Sequence, residues 1–392
     1  MRKVTNILGL VKLGFSVLLS KFPIHSAFSE ITKFSRFCLL ILLLTACFLI
    51  MVLQSISYLT LEKPLRTSEF QNIYRRYKLR IEKRLASLAD SHEPASVYKP
   101  IRYFLASGGK RVRALLVLLS CEAVGGNRNQ ALDAATAIEV LHNFTLIHDD
   151  VMDNAHIRRG HPTVHTKWNT NVAILSGDEL IAQAYRSLEK TRSSRSAKVL
   201  SVFTNAFVQV CEGQGLDQEL ALRHNVSLDD YIIMIKKKTG RVISAACEIG
   251  ALIGGGTWRQ VSALRNFGEH LGIAFQIRDD LLDIMGNEQS FGKVAGGDIA
   301  EGKKTFLLLK ALELSDNKAR TMLRLLMDGS KMTNHRVTRM RQLYEQSGAV
   351  EAARREIALQ TRKAQNTLVA LKESRAKRML IWLSDHLLTR SS

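Results

Sequence analysis

Two stretches of this chain carry the same acidic signature, and both lie in apolar sequence of helical period. Residues 142–160 read HNFTLIHDDVMDNAHIRRG and residues 275–283 read FQIRDDLLD. On a helix, positions i and i+4 share a face, so Asp149 projects beside Asp153, and Asp279 beside Asp283. Nothing on the first of these faces offsets the charge, and like charges at this spacing destabilise a helix unless a cation bridges them. Oxygen ligands with no cysteine beside them suit Mg²⁺ better than Zn²⁺. One such motif reads as readily as a solvated helix face; two copies argue for divalent ions held between two helices. The metal-site candidates are Asp149, Asp150, Asp153, Asp279, Asp280 and Asp283. Arg158 and Arg159 follow the first motif, so guanidiniums for an anion stand next to carboxylates for a metal. That pairing points to a metal-bound phosphate or diphosphate.

Composition favours helix. The chain has 392 residues, enough for one large domain or two ordinary ones, and is 46% hydrophobic with only 5 Pro. No stretch shows strict β-alternation between turn signals. The net charge of +20 would suit a nucleic-acid binder, but aromatics make up only 7% and no basic run is interleaved with them. Attraction to diphosphates and to anionic lipid accounts for the charge better. Cys38, Cys47, Cys121, Cys211 and Cys247 have no metal-ligand spacing and read as small apolar residues in a reducing compartment. There is no dinucleotide-binding glycine fingerprint, no P-loop and no Ser or Cys nucleophile arrangement.

Residues 1–66 differ from the rest, with 8 basic and 2 acidic residues, and residues 37–61 contain no charge. That run is long enough to span a bilayer as a helix. Basic residues flank both sides and do not orient it. The expectation is a membrane anchor on a cytoplasmic catalytic domain; a start codon set too far upstream and an extra buried helix are the alternatives.

From Glu69 onward the period is helical. Residues 95–107 predict a helix with Pro100 early in it. In SGGKRVRALLVLLSCEAVGG, Gly108 and Gly109 break the chain before Lys110, Arg111 and Arg113 gather at the start of an apolar helix. Cations there oppose the helix dipole and make sense where an anion shares the free N–H groups; a solvated basic turn is the alternative. A long helix over 128–155 carries the first acidic motif. His142, seven residues before Asp149, shares its face, although a lone His in such a place is usually packed core. Residues 161–169 read as a loop, 170–222 as two helices split near 192–196, and 227–254 as one helix. The last contains Lys238-Thr239-Gly240, where a glycine is costly unless something packs close. Residues 258–285 form the helix of the second acidic motif. A Gly-rich loop with Lys293, Lys303 and Lys304 follows, and then helices to 390.

Taken together, GGKRVR, DDVMD, IRRG, KTG and FQIRDD resemble, in order, the motifs of the trans-type isoprenyl diphosphate synthases, the polyprenyl synthetase family, over roughly residues 67–390. The resemblance implies an all-α, isoprenoid synthase-type helical bundle around a central cavity over 67–392, preceded by the hydrophobic extension. It implies a homodimer, no nucleic-acid partner, and Mg²⁺, three ions per site once substrate is bound. By the same resemblance Asp149, Asp153, Lys238 and Asp279 are catalytic. Lys110, Arg113, His142 and Arg159 hold isopentenyl diphosphate. Arg158, Lys238, Thr239 and Lys303 hold an allylic diphosphate, with Gln276 and Lys293 nearby. Gln214 and Asp217 match a GQxxD pattern that faces the cavity. The chain departs from the family where Ala114 replaces a usual Pro, and where Leu307 or Leu308 stands near a usual Pro.

The implied reaction is head-to-tail prenyl transfer. A class I terpene cyclase would lack the second acidic motif and the GGKR segment, a head-to-head synthase spaces its acidic motifs differently, and a non-catalytic partner subunit typically loses one motif. Product length falls to the residues before Asp149. Phe144, five residues earlier, is a bulky floor, and Thr145, four earlier, leaves space. In the family an aromatic at the fifth position accompanies short products, so geranylgeranyl diphosphate is expected, farnesyl diphosphate next.

Overall fold

The inner helices have little polar surface to show to water. A computed structural model describes residues 67–90, 92–285, 297, 303–327 and 333–389. The expected segment 37–61, and Lys293, lie outside them. The chain forms α1 (Thr67–Ser87), α2 (Ala95–Ala106), α3 (Val112–Ala123) and α4 (Leu132–Met152), then a hairpin of β1 (Ile157–Arg158) and β2 (His161–Pro162). The short α5 (Val164–Lys167) leads to α6 (Thr170–Glu189), α7 (Ser196–Leu222) and α8 (Leu228–Ile235). A π-helical turn (Lys236–Gly240) joins α8 to α9 (Arg241–Ile253) and α10 (Trp258–Met285). Towards the C-terminus come α11 (Phe306–Leu314), α12 (Asn317–Leu326), α13 (Asn334–Gln346), α14 (Ala349–Thr367) and α15 (Arg375–Thr389). The all-α expectation agrees with this architecture.

Helices α3 and α9 are apolar almost all round and are buried almost all round, as such helices must be, while α4 is largely buried but carries one polar face. Helix α4 packs chiefly on α6, α9 on α10 and α3, and α10 on α14. Close crossings need small residues: a Cβ at Gly250 of α9 would sit 2.2 Å from the Val117 carbonyl oxygen of α3. Polar caps start several outer helices: Asn169 accepts from the Val172 N–H, and Ser227 and Asp230 form a capping box. A second apolar cluster joins α8 and α10 to α11, α13 and α14 around Tyr231, Phe306, Met340 and Tyr344. No described helix is long and apolar enough to cross a membrane.

Two expected elements are corrected. Residues 161–169 are not simply a loop. His161–Pro162 pairs with Ile157–Arg158 across Arg159 and Gly160, both at positive φ (53° and 76°), which is the two-residue turn that suits strand twist. The span 227–254 is not one α-helix, because the π turn interrupts it at 236–240. The long helix expected over 128–155 runs Leu132–Met152, with Asn154 at φ 48° turning the chain away after Asp153.

Candidate active site

One face of α4 carries Glu139, His142, Leu146, Asp149 and Asp153, spaced three or four residues apart, and all of them line a cavity of about 730 Å³. Thr239 and Gln276 join them from the π turn and α10, as do Lys238 and Asp279. Lys110, Arg111 and Arg113 enter from the start of α3, Arg158 and Arg159 from the hairpin, and Lys303 from the segment before α11. Lys78 of α1 lines it too, so carboxylates from two helices and cations from five chain segments face one space.

The acidic residues divide by environment. Burial pushes the Asp149 carboxyl up to about 6, opposed by the nearby Lys238 ammonium and reinforced by Asp153. Lys303 reaches Asp153 at 3.4 Å. Asp150 turns inward, buried, and accepts from Arg158 Nε at 2.5 Å. Asp280 is also buried. It accepts from Tyr231 Oη at 2.6 Å and from Gln276 Nε2 at 2.9 Å, and it lines a small pocket adjoining the main cavity. Asp283 is half-buried and lies outside the cavity lining. Asp149, Asp153 and Asp279 are therefore the aspartates that face the main cavity.

Among the described residues no three His, Cys, Asp or Glu side chains lie close enough to hold one ion. That donor set still fits Mg²⁺, which is usually held by one or two carboxylates and completed by water and substrate phosphate. Aspartates from two helices lining one cation-rimmed cavity supply the protein's share of such ligation.

At the other end, Arg113 donates to Nε2 of His142 at 3.0 Å. Burial, followed by the charges of Arg113 and Arg159, holds His142 well below the usual imidazole range, so its ring is neutral and can accept. Burial also lowers Arg113, and brings Arg159 down to about 10 with Arg111 adding to the effect. Arg159 donates to the Gly108 carbonyl and reaches the Ser107 hydroxyl at 3.4 Å. Gly109 sits at φ +146°, where an added Cβ would stand 3.1 Å from an Arg159 nitrogen, so a glycine there leaves room for the guanidinium.

Glu139 escaped the sequence reading, although the periodicity that placed His142 with Asp149 places Glu139 one turn further along the same face. It is 2% exposed. Its carboxylate lies 3.6 Å from Arg111 Nη1 and accepts from the Ala114 N–H at 3.3 Å. Ala114 is where the family usually has Pro, so this bond uses an N–H that Pro would lack. Arg111 is itself buried and donates to the Leu105 carbonyl at 2.9 Å. Arg111 thus supports the turn besides lining the cavity with Lys110 and Arg113.

The π turn is packed closely by two other helices. A Cβ at Gly272 of α10 would lie 2.5 Å from the Gly240 Cα, and one at Gly213 of α7 would lie 2.3 Å from the Lys238 nitrogen. Two helices therefore clamp the turn, and the extra residue brings Lys238 and Thr239 to the cavity together. Lys238 donates to Asp217 at 2.6 Å, and Thr239 Oγ1 donates to Gln276 at 2.7 Å. Gln214 is buried with its amide 4.0 Å from the Met152 sulfur. It lines neither the main cavity nor the small pocket that Asp217 joins, because the Gly213 side of α7 faces the turn. His148 packs over Gly177 and Phe144, away from the metal face.

Phe144 is likewise not on the cavity wall. It lies against His148 and meets Phe207 of α7 edge to face at 5.4 Å. The wall one turn before Asp149 is formed by Thr145 and Leu146.

Residues 94–346 match the sequence pattern described as polyprenyl synthetase. The chain is 38% identical over 324 residues to a short chain isoprenyl diphosphate synthase of Methanothermobacter thermautotrophicus, covering 82% of this chain and 99% of that one. It is 36% identical to a geranylgeranyl pyrophosphate synthase of Geoglobus acetivorans, over 79% of this chain and 96% of the relative. The crystal structure of geranylgeranyl pyrophosphate synthetase from Pyrococcus horikoshii superposes with a TM-score of 0.77 at 34% identity, covering 82% of this chain and 99% of that one.

Proposed function

Because the chain belongs to the polyprenyl synthetase family, we propose that it condenses isopentenyl diphosphate with an allylic diphosphate, head to tail, to give geranylgeranyl diphosphate. It is a prenyltransferase, and the short-chain product follows its relatives. The observation that carries the reading is the meeting, in one cavity, of aspartates from two helices with two groups of cations.

Asp149, Asp153 and Asp279 would hold Mg²⁺, three ions per site, with Asp150, Asp280 and Asp283 behind them. Bound there, the ions would neutralise a diphosphate leaving group. The chain's own cations share that work. Lys238, Arg158 and Lys303 stand where the allylic diphosphate separates, and they stabilise its growing charge as the C–O bond breaks. Lys110, Arg113 and Arg159 hold the diphosphate of the second substrate, and neutral His142 steadies Arg113. Thr239 and Gln276 position the allylic group, and Lys293 belongs with them by its place in the family pattern. The double bond of isopentenyl diphosphate forms the new C–C bond, and the proton it then loses goes to the released diphosphate. No protein base is required. Leu146, Val242, Ile243, Leu271 and Phe275 line the cavity and keep water from the allylic cation.

Chain growth is limited by the Phe144–Phe207 pair behind Thr145 and Leu146. Residues 67–392 carry the catalysis, as a homodimer, and residues 37–61 hold this cytoplasmic unit at a membrane. Asp149→Ala should lower kcat at saturating Mg²⁺ by about a thousandfold, as removal of a main source of leaving-group stabilisation does. Diphosphate release that stays near normal in that variant would refute the site.

A further inference from the structure

We propose that the outer face of α1 docks on a bilayer bearing anionic headgroups and sets the mouth of the catalytic cavity beside it. The inner face of α1 is fully used: Phe70, Ile73, Tyr77, Ile81 and Leu85 are buried. The outer face presents Arg75, Arg76, Arg80 and Lys83, all exposed, around Leu79, which is 66% exposed. These residues recur at helical spacing and form one stripe. None of the four cations has an ion-pair or hydrogen-bond partner among the described residues, unlike Lys78, Arg84 and Arg111 close by. Cations gathered around an exposed apolar side chain suit a lipid headgroup layer, which takes both. A nucleic-acid surface would call for aromatics among the cations, and this stripe has none.

Position in the chain favours the same partner. Five residues, 62–66, separate the uncharged run 37–61 from α1, and so short a link can reach at most about 22 Å. If that run enters a bilayer, α1 is held against the headgroups. The orientation rests on the membrane reading given above; the charge stripe does not. Tyr74 and Lys78, next to the stripe on the same helix, line the catalytic cavity. A docked α1 therefore opens the cavity near the surface from which a long allylic diphosphate enters and to which its product returns.

The test is co-sedimentation of the full chain with vesicles of phosphatidylcholine alone and with added phosphatidylserine, at 50 mM and 500 mM salt. Wild type should bind the anionic vesicles at least tenfold more strongly than the neutral ones at low salt, and lose that gain at high salt. Replacing Arg75, Arg76, Arg80 and Lys83 together with Gln should abolish the gain while leaving synthase activity in detergent unchanged. A charge reversal at the same positions should act in the same direction and further. A control variant with Gln at Arg355, Arg362 and Lys363, an equally exposed stripe on α14, should keep most of the gain. An equal loss in the α14 control would show that net charge alone is responsible, and would overturn the proposal. So would an undiminished gain in the α1 variant, or an α1 effect confined to binding of an RNA oligonucleotide. Salt-resistant binding to neutral vesicles reports on residues 37–61 separately. Its absence would remove the anchor and leave the α1 surface standing.

Discussion

Asp149 sits where its own charge is disfavoured, and that gives the site a signature in pH. Burial holds its carboxyl up at about 6 in the fold, whereas the unfolded chain keeps it at about 3.9. The folded state therefore binds the extra proton between those values, so the metal-free protein loses stability as pH rises from about 4 to about 6. A divalent ion competes with the same proton. Mg²⁺ affinity should rise through that window and level off above it, about tenfold weaker at pH 5 than at pH 7. Calorimetric titration would measure this, and Asp149→Asn should flatten the dependence; a slope that survives the substitution places the proton elsewhere. At the opposite end, Arg113→Ala should raise KM for isopentenyl diphosphate by tenfold or more, as loss of a charge-assisted contact does, with a smaller effect on the allylic KM. Equal effects would mean that the two anion sites are merged or exchanged. The spacing of the aspartates was legible in the sequence because i, i+4 geometry is local. Their division was not: Asp150 and Asp280 turn to Arg158 and Tyr231, partners eight and forty-nine residues away.

The π turn is the element on which the site depends most. Local propensity reads 227–254 as one helix, since a π turn differs from an α-helix by one inserted residue and leaves no compositional mark. Gly240 was the visible sign, but a Cβ there would meet only ordinary contacts at 3.7 Å and beyond, and the close packing falls on Gly213 and Gly272 of other helices. Gly213→Ala should therefore displace the turn, because a methyl group has no room 2.3 Å from the Lys238 nitrogen. A loss of about 1–3 kcal/mol in stability is expected from overpacking, together with a higher KM for the allylic substrate as Lys238 moves. Unchanged melting temperature and kinetics would show that the turn is not clamped there. The hairpin was missed for a related reason. Two-residue strands give no alternation to read, and Arg159 lies at positive φ, where glycine or asparagine is the usual signal. The helices with long apolar runs or clear caps, α6, α7 and α10, could be placed closely from the sequence.

For the molecule as a whole, helical period and low proline content pointed to helix throughout, and two acidic faces to ions held between two helices, whereas the bundle around a central cavity was implied only by the resemblance. Which face of α4 meets the cavity also follows from period alone, and it includes Glu139. What lies behind that face does not, because it depends on how α7 crosses. Phe144 is set by that crossing against Phe207 rather than under Asp149. The central claim is that this cavity elongates an allylic diphosphate and stops at a short product. It is tested most directly by incubating the purified full chain with Mg²⁺, farnesyl diphosphate and radiolabelled isopentenyl diphosphate, and chromatographing the dephosphorylated alcohols. A single labelled alcohol of twenty carbons is predicted, shifting to longer chains in Phe144→Ala. No labelled alcohol, or wild-type chains of thirty carbons or more, would contradict the account.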